Sequence, residues 1–259
     1  MLPNRILTQT IYFPSNWSEL SKNIQEKYKD DYFITSIRYG GGAWILIMSK
    51  VEGWNGQSYF CSKEFPHEKL KEYREKDYYL TSITHDGSDW ICVVTGVNNC
   101  RGQVVYHGTW GRDLMELNKK AWDAGMIITS VSAEMYYAIV YSLFQERIEP
   151  GCLFSLFMKP TYKTIRYSQS FIDLDKPIGV REIQRCCKED QVVIDIHDMN
   201  SIKTAVVTAG GLEYTKQRIH KAKSFKELDK LIDNRWAEGY CITSVEYTYD
   251  NEWILVFSK

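Results

Sequence analysis

Tyr32-Phe33-Ile34-Thr35-Ser36-Ile37 returns as Tyr78-Tyr79-Leu80-Thr81-Ser82-Ile83, as Met126-Ile127-Ile128-Thr129-Ser130-Val131 and as Tyr240-Cys241-Ile242-Thr243-Ser244-Val245. A pattern that recurs along a chain marks a repeated supersecondary unit. A fifth, degraded copy is Gln191-Val192-Val193-Ile194-Asp195-Ile196, recognised by its flanks. Downstream of each copy a short polar turn leads to a second apolar run. These runs are Trp44 to Ser49, Trp90 to Thr95, Tyr137 to Ser142, Lys203 to Thr208 and Trp253 to Ser258, and all close on Ser or Thr. The turns are rich in Gly, Asp and Asn, as in Gly40-Gly41-Gly42 and Asp86-Gly87-Ser88-Asp89. Two such runs joined by such a turn predict a hairpin.

Upstream of each copy the spacing is helical. In the first, Asn16 is placed as an N-cap and Trp17, Leu20, Ile24 and Tyr28 form one face. In the fifth, Ser224 caps a helix carrying Phe225, Leu228, Leu231, Ile232 and Trp236. A short strand precedes each helix, and in four copies a glutamine holds one register: Gln9, Gln57, Gln103 and Gln217. In the fourth copy the first strand is predicted at residues 163–167 and the helix at about residues 179–188. The unit is therefore β-α-β-β and about 46 to 48 residues long, by the spacings Thr35 to Thr81, Thr81 to Thr129 and Asp195 to Thr243, while Thr129 and Asp195 stand roughly 18 residues farther apart.

The predicted units are 8–55, 56–101, 102–144, 163–211 and 212–259, in one domain. Residues 145–162 are an insertion. It carries Leu153, Phe154, Leu156 and Phe157, is too apolar for a solvated loop, and is expected to form a hairpin arm or lid that contacts a partner. One unit cannot bury both faces of its sheet. The last unit runs to Ser258 with no capping segment, so the expected fold is α/β, with five pseudo-symmetric units closed into an α/β propeller or toroid. The alternative is an open α/β repeat array. In unit count and element order, though not in sequence, the arrangement resembles the five-bladed α/β propeller of the pentein superfamily.

A sequence resemblance lies on the same repeat. Gln57-Ser58-Tyr59, Phe65-Pro66, Tyr79-Leu80-Thr81-Ser82 and Trp90 with Val93-Val94-Thr95 resemble the repeat domain at the C-terminal end of plant casein-kinase-1-like protein kinases. Trp236-Ala237-Glu238-Gly239-Tyr240-Cys241-Ile242-Thr243-Ser244 matches its middle stretch closely, and Trp44 to Lys50 its last; the fourth copy departs from it. The resemblance implies an accessory, binding role. No kinase lobe accompanies it, since a Gly-rich phosphate loop and a His-Arg-Asp loop are missing.

Composition narrows the function further. With 32 Lys and Arg against 33 Asp and Glu, the chain lacks the basic excess that phosphate neutralisation requires, so no nucleic-acid partner is expected. The lysines between 216 and 230 read as a solvated helix face. No run of about 20 apolar residues occurs, so no membrane span is expected. No secretory leader is read at Met1-Leu2-Pro3-Asn4-Arg5. Seven irregularly spaced cysteines predict reduced thiols and a cytoplasmic protein. Five scattered histidines without Cys-x-x-Cys predict neither a metal nor a cofactor.

Asp195-Ile196-His197-Asp198 is the sharpest catalytic candidate, because it falls in the copy that broke the Thr-Ser pattern. The pentein analogy implies a cysteine nucleophile beside a histidine and carboxylates acting on a guanidine. No cysteine stands in a Gly-rich nucleophile loop near the C-terminus, and Cys100 and Cys152 are expected in loops without a supporting motif. The other reading of this segment is repeat decay plus a polar turn. The recurring glutamines would either bind a small polar ligand or join neighbouring units through backbone bonds. The expected function is a non-catalytic binding or scaffold module for a protein partner or small polar ligand. The alternatives are a pentein-like Cys/His enzyme acting on a guanidine-type molecule and a stand-alone oligomerising scaffold.

Overall fold

Successive side chains of a strand point to opposite faces, and the second apolar run of each unit is apolar on both. It must therefore be covered twice. The computed structural model describes residues 6–97, 100–108, 113–133, 137–148, 161–164, 168–174, 191–199, 202–209, 214 and 216–259. Among them are 16 strands and four helices. The first unit holds β1 (Ile6–Tyr12), α1 (Trp17–Tyr28), β2 (Phe33–Gly40) and β3 (Ala43–Val51). The second holds β4 (Trp54–Ser62), α2 (His67–Arg74), β5 (Tyr78–His85) and β6 (Trp90–Val97). The third holds β7 (Cys100–Gly108), α3 (Asp113–Asp123), β8 (Ile127–Ala133) and β9 (Tyr137–Ile148), followed by β10 (Thr161–Thr164). The fourth contributes β11 (Ser168–Asp173), β12 (Gln191–Met199) and β13 (Ile202–Ala209). The fifth holds β14 (Gln217–Ala222), α4 (Phe225–Ala237), β15 (Cys241–Tyr247) and β16 (Trp253–Ser258).

Within each unit the last strand lies in the middle and pairs antiparallel with the other two, as in β1-β3-β2, β4-β6-β5, β11-β13-β12 and β14-β16-β15. In the third unit β9 pairs with β7 and β8 and, along its far end, with β10. This overturns the expected α/β propeller or toroid with five-fold symmetry. The hydrogen-bonded ladders form five separate small sheets, none of them closed, and strand far outweighs helix, so the protein is β-rich and mostly antiparallel. The physical reason lies in the hairpin. The central strand satisfies its partners on both sides inside its own unit, and among the described residues no ladder passes from one unit to the next.

Side chains join the sheets instead. Trp44, Leu46 and Met48 of β3 pack with Leu20 and Ile24 of α1, while Ile45 and Ile47 on its other face pack with Leu228 and Ile232 of α4. The same offset recurs along the chain. Ile91 and Val93 pack into the first unit, Ala138 and Val140 into the second, Val206 into the third, and Ile254 and Val256 into the fourth. Full burial of each such valine or isoleucine stabilises by about 1.5–3 kcal/mol. The second strands also meet one another: β2 on β5, β5 on β8, β8 on β12, β12 on β15 and β15 on β2.

The helices begin where their caps dictate. The Asn16 side chain accepts the Glu19 N–H at 3.0 Å, and Glu19 reaches back to the Ser15 N–H at 2.9 Å. Ser224 accepts the Glu227 N–H at 3.3 Å, and Glu227 the Lys223 N–H at 2.8 Å. Each reciprocal pair satisfies two N–H groups that a helix start leaves open.

The Thr-Ser signature is the sequence of a bulge. Pairing shifts register between Ile34 and Ser36, Leu80 and Ser82, Ile128 and Ser130, Val193 and Asp195, and Ile242 and Ser244. The extra residue is Thr35, Thr81, Thr129 or Thr243, and in the fourth unit Ile194. Asp195 thus holds the serine place, not the threonine place that the spacing gave it. The first strand of the fourth unit is Ser168–Asp173 and not residues 163–167, because Lys163 belongs to β10 and pairs with Glu146 of β9. The predicted helix at residues 179–188 lies outside the described residues. The insertion is a hairpin at its base, where Ile148 faces Thr161. Leu153, Phe154, Leu156 and Phe157 lie outside the described residues.

Candidate functional site

Each recurrent glutamine sits on the first strand of a unit and turns its amide across to the second strand of the preceding unit. There it makes two bonds with one residue's backbone. Gln57 Oε1 accepts the Ile34 N–H at 2.6 Å and its Nε2 donates to the Ile34 carbonyl at 2.9 Å. Gln103 does the same with Leu80 at 2.8 and 2.9 Å, and Gln217 with Val193 at 2.6 and 2.9 Å. Gln9 does it with Ile242 at 2.7 and 2.9 Å, tying the first sheet to the last. The fourth unit supplies a fifth member, Gln169, which clasps Ile128 at 2.8 and 2.9 Å. In every unit the clasped residue stands directly before the bulge, and the amide pairs with both its N–H and its carbonyl.

The second amide hydrogen also has a taker. Nε2 of Gln9, Gln57, Gln103 and Gln217 donates to Ser49, Thr95, Ser142 and Ser258 at 3.1, 2.8, 3.0 and 2.8 Å. These hydroxyls in turn share a bond with the bulge threonines, at 2.9 Å for Thr35–Ser49 and 2.7 Å for Thr81–Thr95. All five glutamines stand as clasps between sheets, and in Gln9, Gln57, Gln103 and Gln217 both amide hydrogens are engaged.

Where the five second strands meet stands Arg38, 5 % exposed. Its Nε donates to Glu246 Oε2 of β15 at 3.1 Å. Its Nη1 donates to the Ile83 carbonyl of β5 at 3.0 Å, and its Nη2 to the Val131 carbonyl of β8 at 3.1 Å. Nη2 also lies 3.7 Å from Asp195 Oδ1 of β12. One guanidinium therefore contacts the second strand of all four other units. Asp195 is held in turn by the Val131 N–H at 2.8 Å and the Ser244 hydroxyl at 2.9 Å.

His197 holds the place of Arg38 in the fourth unit and is 1 % exposed. Burial holds its pKa down at about 4, with Arg38 adding to the depression and Asp195 opposing it. The imidazole is thus neutral at pH 7, and its Nδ1 has no hydrogen-bond partner among the described residues. A base this weak activates a nucleophile poorly near neutral pH. Because the unfolded histidine titrates near 6.5, the unfolded state binds more protons between about pH 6.5 and 4. Stability present above pH 6.5 is expected to fall through that window by about 3 kcal/mol in all. Urea denaturation at stepped pH checks this, and the His197→Gln chain should lack the step.

The described thiols are not poised for attack. Burial raises the pKa of Cys61 to about 11 and of Cys100 to about 12, and raises those of Cys92 and Cys241 as well. The Cys100 thiol turns to the Gly102 carbonyl at 3.6 Å, in an apolar cluster with Tyr79, Ala121 and Ile127. Asp195, His197 and Asp198 are brought together on β12, but Cys100 does not join them. Cys152 lies outside the described residues.

At the hairpin-turn end of the second strands a cavity of about 360 Å³ opens, lined by Tyr39, Gly41, Asp86, Asp198, Tyr247 and Tyr249 among others. Gly40 makes room for it: a Cβ there would lie 2.4 Å from Tyr247 Cβ, so the tyrosine packs on bare backbone. A second cavity, of about 470 Å³, lies at the seam between first and last units, against Leu7, Trp236 and Cys241.

The model of a family described as a domain of unknown function, DUF7477, matches residues 5–155. The chain belongs to that family. No curated protein matches the sequence. The DUF7477 match spans the first three units, with Arg38, Gln57, Gln103 and Tyr39, while Asp195, His197, Asp198, Gln217 and Tyr247 lie beyond it. Among the described residues of this DUF7477 chain no group of three or more His, Cys, Asp or Glu forms a metal site. No described helix is long and apolar enough to cross a membrane.

Proposed function

We infer that the domain is a non-catalytic binding or scaffold module that works in the cytoplasm and engages a protein partner. The observation that carries this reading is the use of chemistry-bearing side chains as joints. The recurrent glutamines clasp adjoining sheets and Arg38 ties the second strands together. A buried neutral His197 and raised thiol pKa values supply no activated nucleophile among the described residues. The resemblance of the repeat to the accessory region of plant casein-kinase-1-like kinases supports the same reading. The apolar sequence of the insertion, with Leu153, Phe154, Leu156 and Phe157, is the proposed partner contact.

Immobilised full chain tests this against a chain whose residues 149–160 are replaced by a Gly-Ser linker. One partner, captured in a fixed ratio by the full chain and lost with the linker, is the expected result. Turnover of a guanidine compound by the purified chain, abolished by thiol alkylation, would contradict it.

A further inference from the structure

We propose that the hairpin-end cavity binds an alkylated ammonium cation, free or carried on a methylated lysine of a partner protein. This inference rests on the binding-module reading and names the chemistry of one of its sites. Three tyrosines and two carboxylates line the cavity, and no lysine or arginine is among its described lining residues. Aromatic faces attract cations through the ring quadrupole, and alkylated ammonium groups suit them because their weak hydration is lost at small cost.

The walls are built in advance. The Tyr39 ring packs on Trp44 with centroids 4.9 Å apart, and Tyr247 on Trp253 at 4.8 Å. The Tyr247 hydroxyl is held by Asn251 at 3.1 Å. Tyr249 stands at the rim, 55 % exposed, with its backbone N–H on Asp198 Oδ2 at 3.0 Å. Asp86 is fixed by the N–H groups of Ser88 and Asp89 at 2.9 and 2.8 Å. Groups held before binding need not be ordered by the ligand.

Charge points the same way. In the layer beneath, Arg38 faces two carboxylates, Glu246 and Asp195, and His197 is neutral. Lys203, opposite Asp198 across the β12–β13 ladder, is engaged by Asp250. The cavity therefore carries net negative charge. A guanidinium would ask for paired coplanar acceptors. Here the two carboxylates come from different units, and each has an oxygen committed to backbone, which favours a round cation over a planar one.

Titration of the full chain with choline and with its neutral carbon isostere, 3,3-dimethylbutanol, tests the proposal by calorimetry. Choline is expected to bind at least tenfold more tightly. Tyr249→Ala and Asp86→Asn should each weaken choline at least fivefold at an unchanged urea midpoint, while Tyr249→Phe should leave it near wild type. Asparagine can keep the turn bonds of Asp86, so its effect reads charge alone. A trimethyllysine peptide binding more tightly than choline assigns the cation to a partner protein, and equal affinity assigns it to a free ligand. Equal binding of choline and the isostere, or saturable binding of neither, overturns the proposal. Lost choline binding with partner capture intact would sink this site alone, whereas lost partner capture with choline binding intact would sink the parent reading alone.

Discussion

Replacing Arg38 by Ala is expected to cost the domain about 3–5 kcal/mol, the range for removing one partner of a buried ion pair. The penalty comes from what remains. Glu246 is 5 % exposed and Asp195 4 % exposed, and both would stay buried without their cation. The carbonyls of Ile83 and Val131 would each lose a donor as well. Arg38→Lys should recover only part of the loss, since a single ammonium cannot present a planar fork of donors to four strands at once. Urea denaturation gives the number. Arg38→Ala combined with Glu246→Gln and Asp195→Asn should be less destabilised than Arg38→Ala alone, because the orphaned charges are gone. Equal stability of the single and triple variants would show that Arg38 is not the electrostatic centre described.

Replacing Gln217 by Ala should cost about 2–4 kcal/mol, since leaving a buried donor or acceptor unsatisfied costs roughly 1–3 kcal/mol each. Gln217 is 7 % exposed, and its amide serves the Val193 N–H, the Val193 carbonyl and the Ser258 hydroxyl. Gln217→Glu should be no milder, because a carboxylate has no hydrogen to give the Val193 carbonyl or the serine. Gln9→Ala should cost less, as its clasp on Ile242 is only part-buried and water can take the amide's place. Hydrogen exchange at the Val193 amide gives a local readout beside the denaturation curve. Exchange unchanged in Gln217→Ala would contradict the clasp.

Much of the local structure is legible in the sequence because it follows from periodicity and caps. Asn16 and Ser224 cap the helices they precede, and Trp44, Trp90 and Trp253 are buried, as one register in like units requires. The Thr-Ser pairs mark second strands, yet the bulge behind them is invisible to a pattern that counts residues without pairing them. The way the units associate is not legible either. Element order alone suggests a closed α/β assembly, whereas the antiparallel hairpin completes each ladder within its own unit and leaves five separate sheets.

Two site residues escaped for identifiable reasons. Gln169 was hidden because β9 runs on past Ser142 and pairs with β10, which pushes the next unit's first strand beyond Lys163. Arg38 is hidden because it has no like residue in the other copies. The column two places after the serine reads Arg38, Thr84, Ser132, His197 and Glu246, with two opposite charges at one register. That mismatch was the available signal. The departure of the fourth copy also marks Asp195, His197 and Asp198, which the structure places beside Arg38, fully buried, and against the hairpin-end cavity, respectively.

In the proposed function, side chains suited to chemistry act as joints and not as catalysts. Alkylation of the native chain across pH, read residue by residue by mass spectrometry, tests it most directly. The account predicts that Cys92 and Cys100 stay unmodified at neutral pH, and that no cysteine changes its rate when His197 becomes Gln. A thiol whose reactivity titrates below pH 7 and falls in His197→Gln would contradict it, and would place a Cys/His pair in this domain.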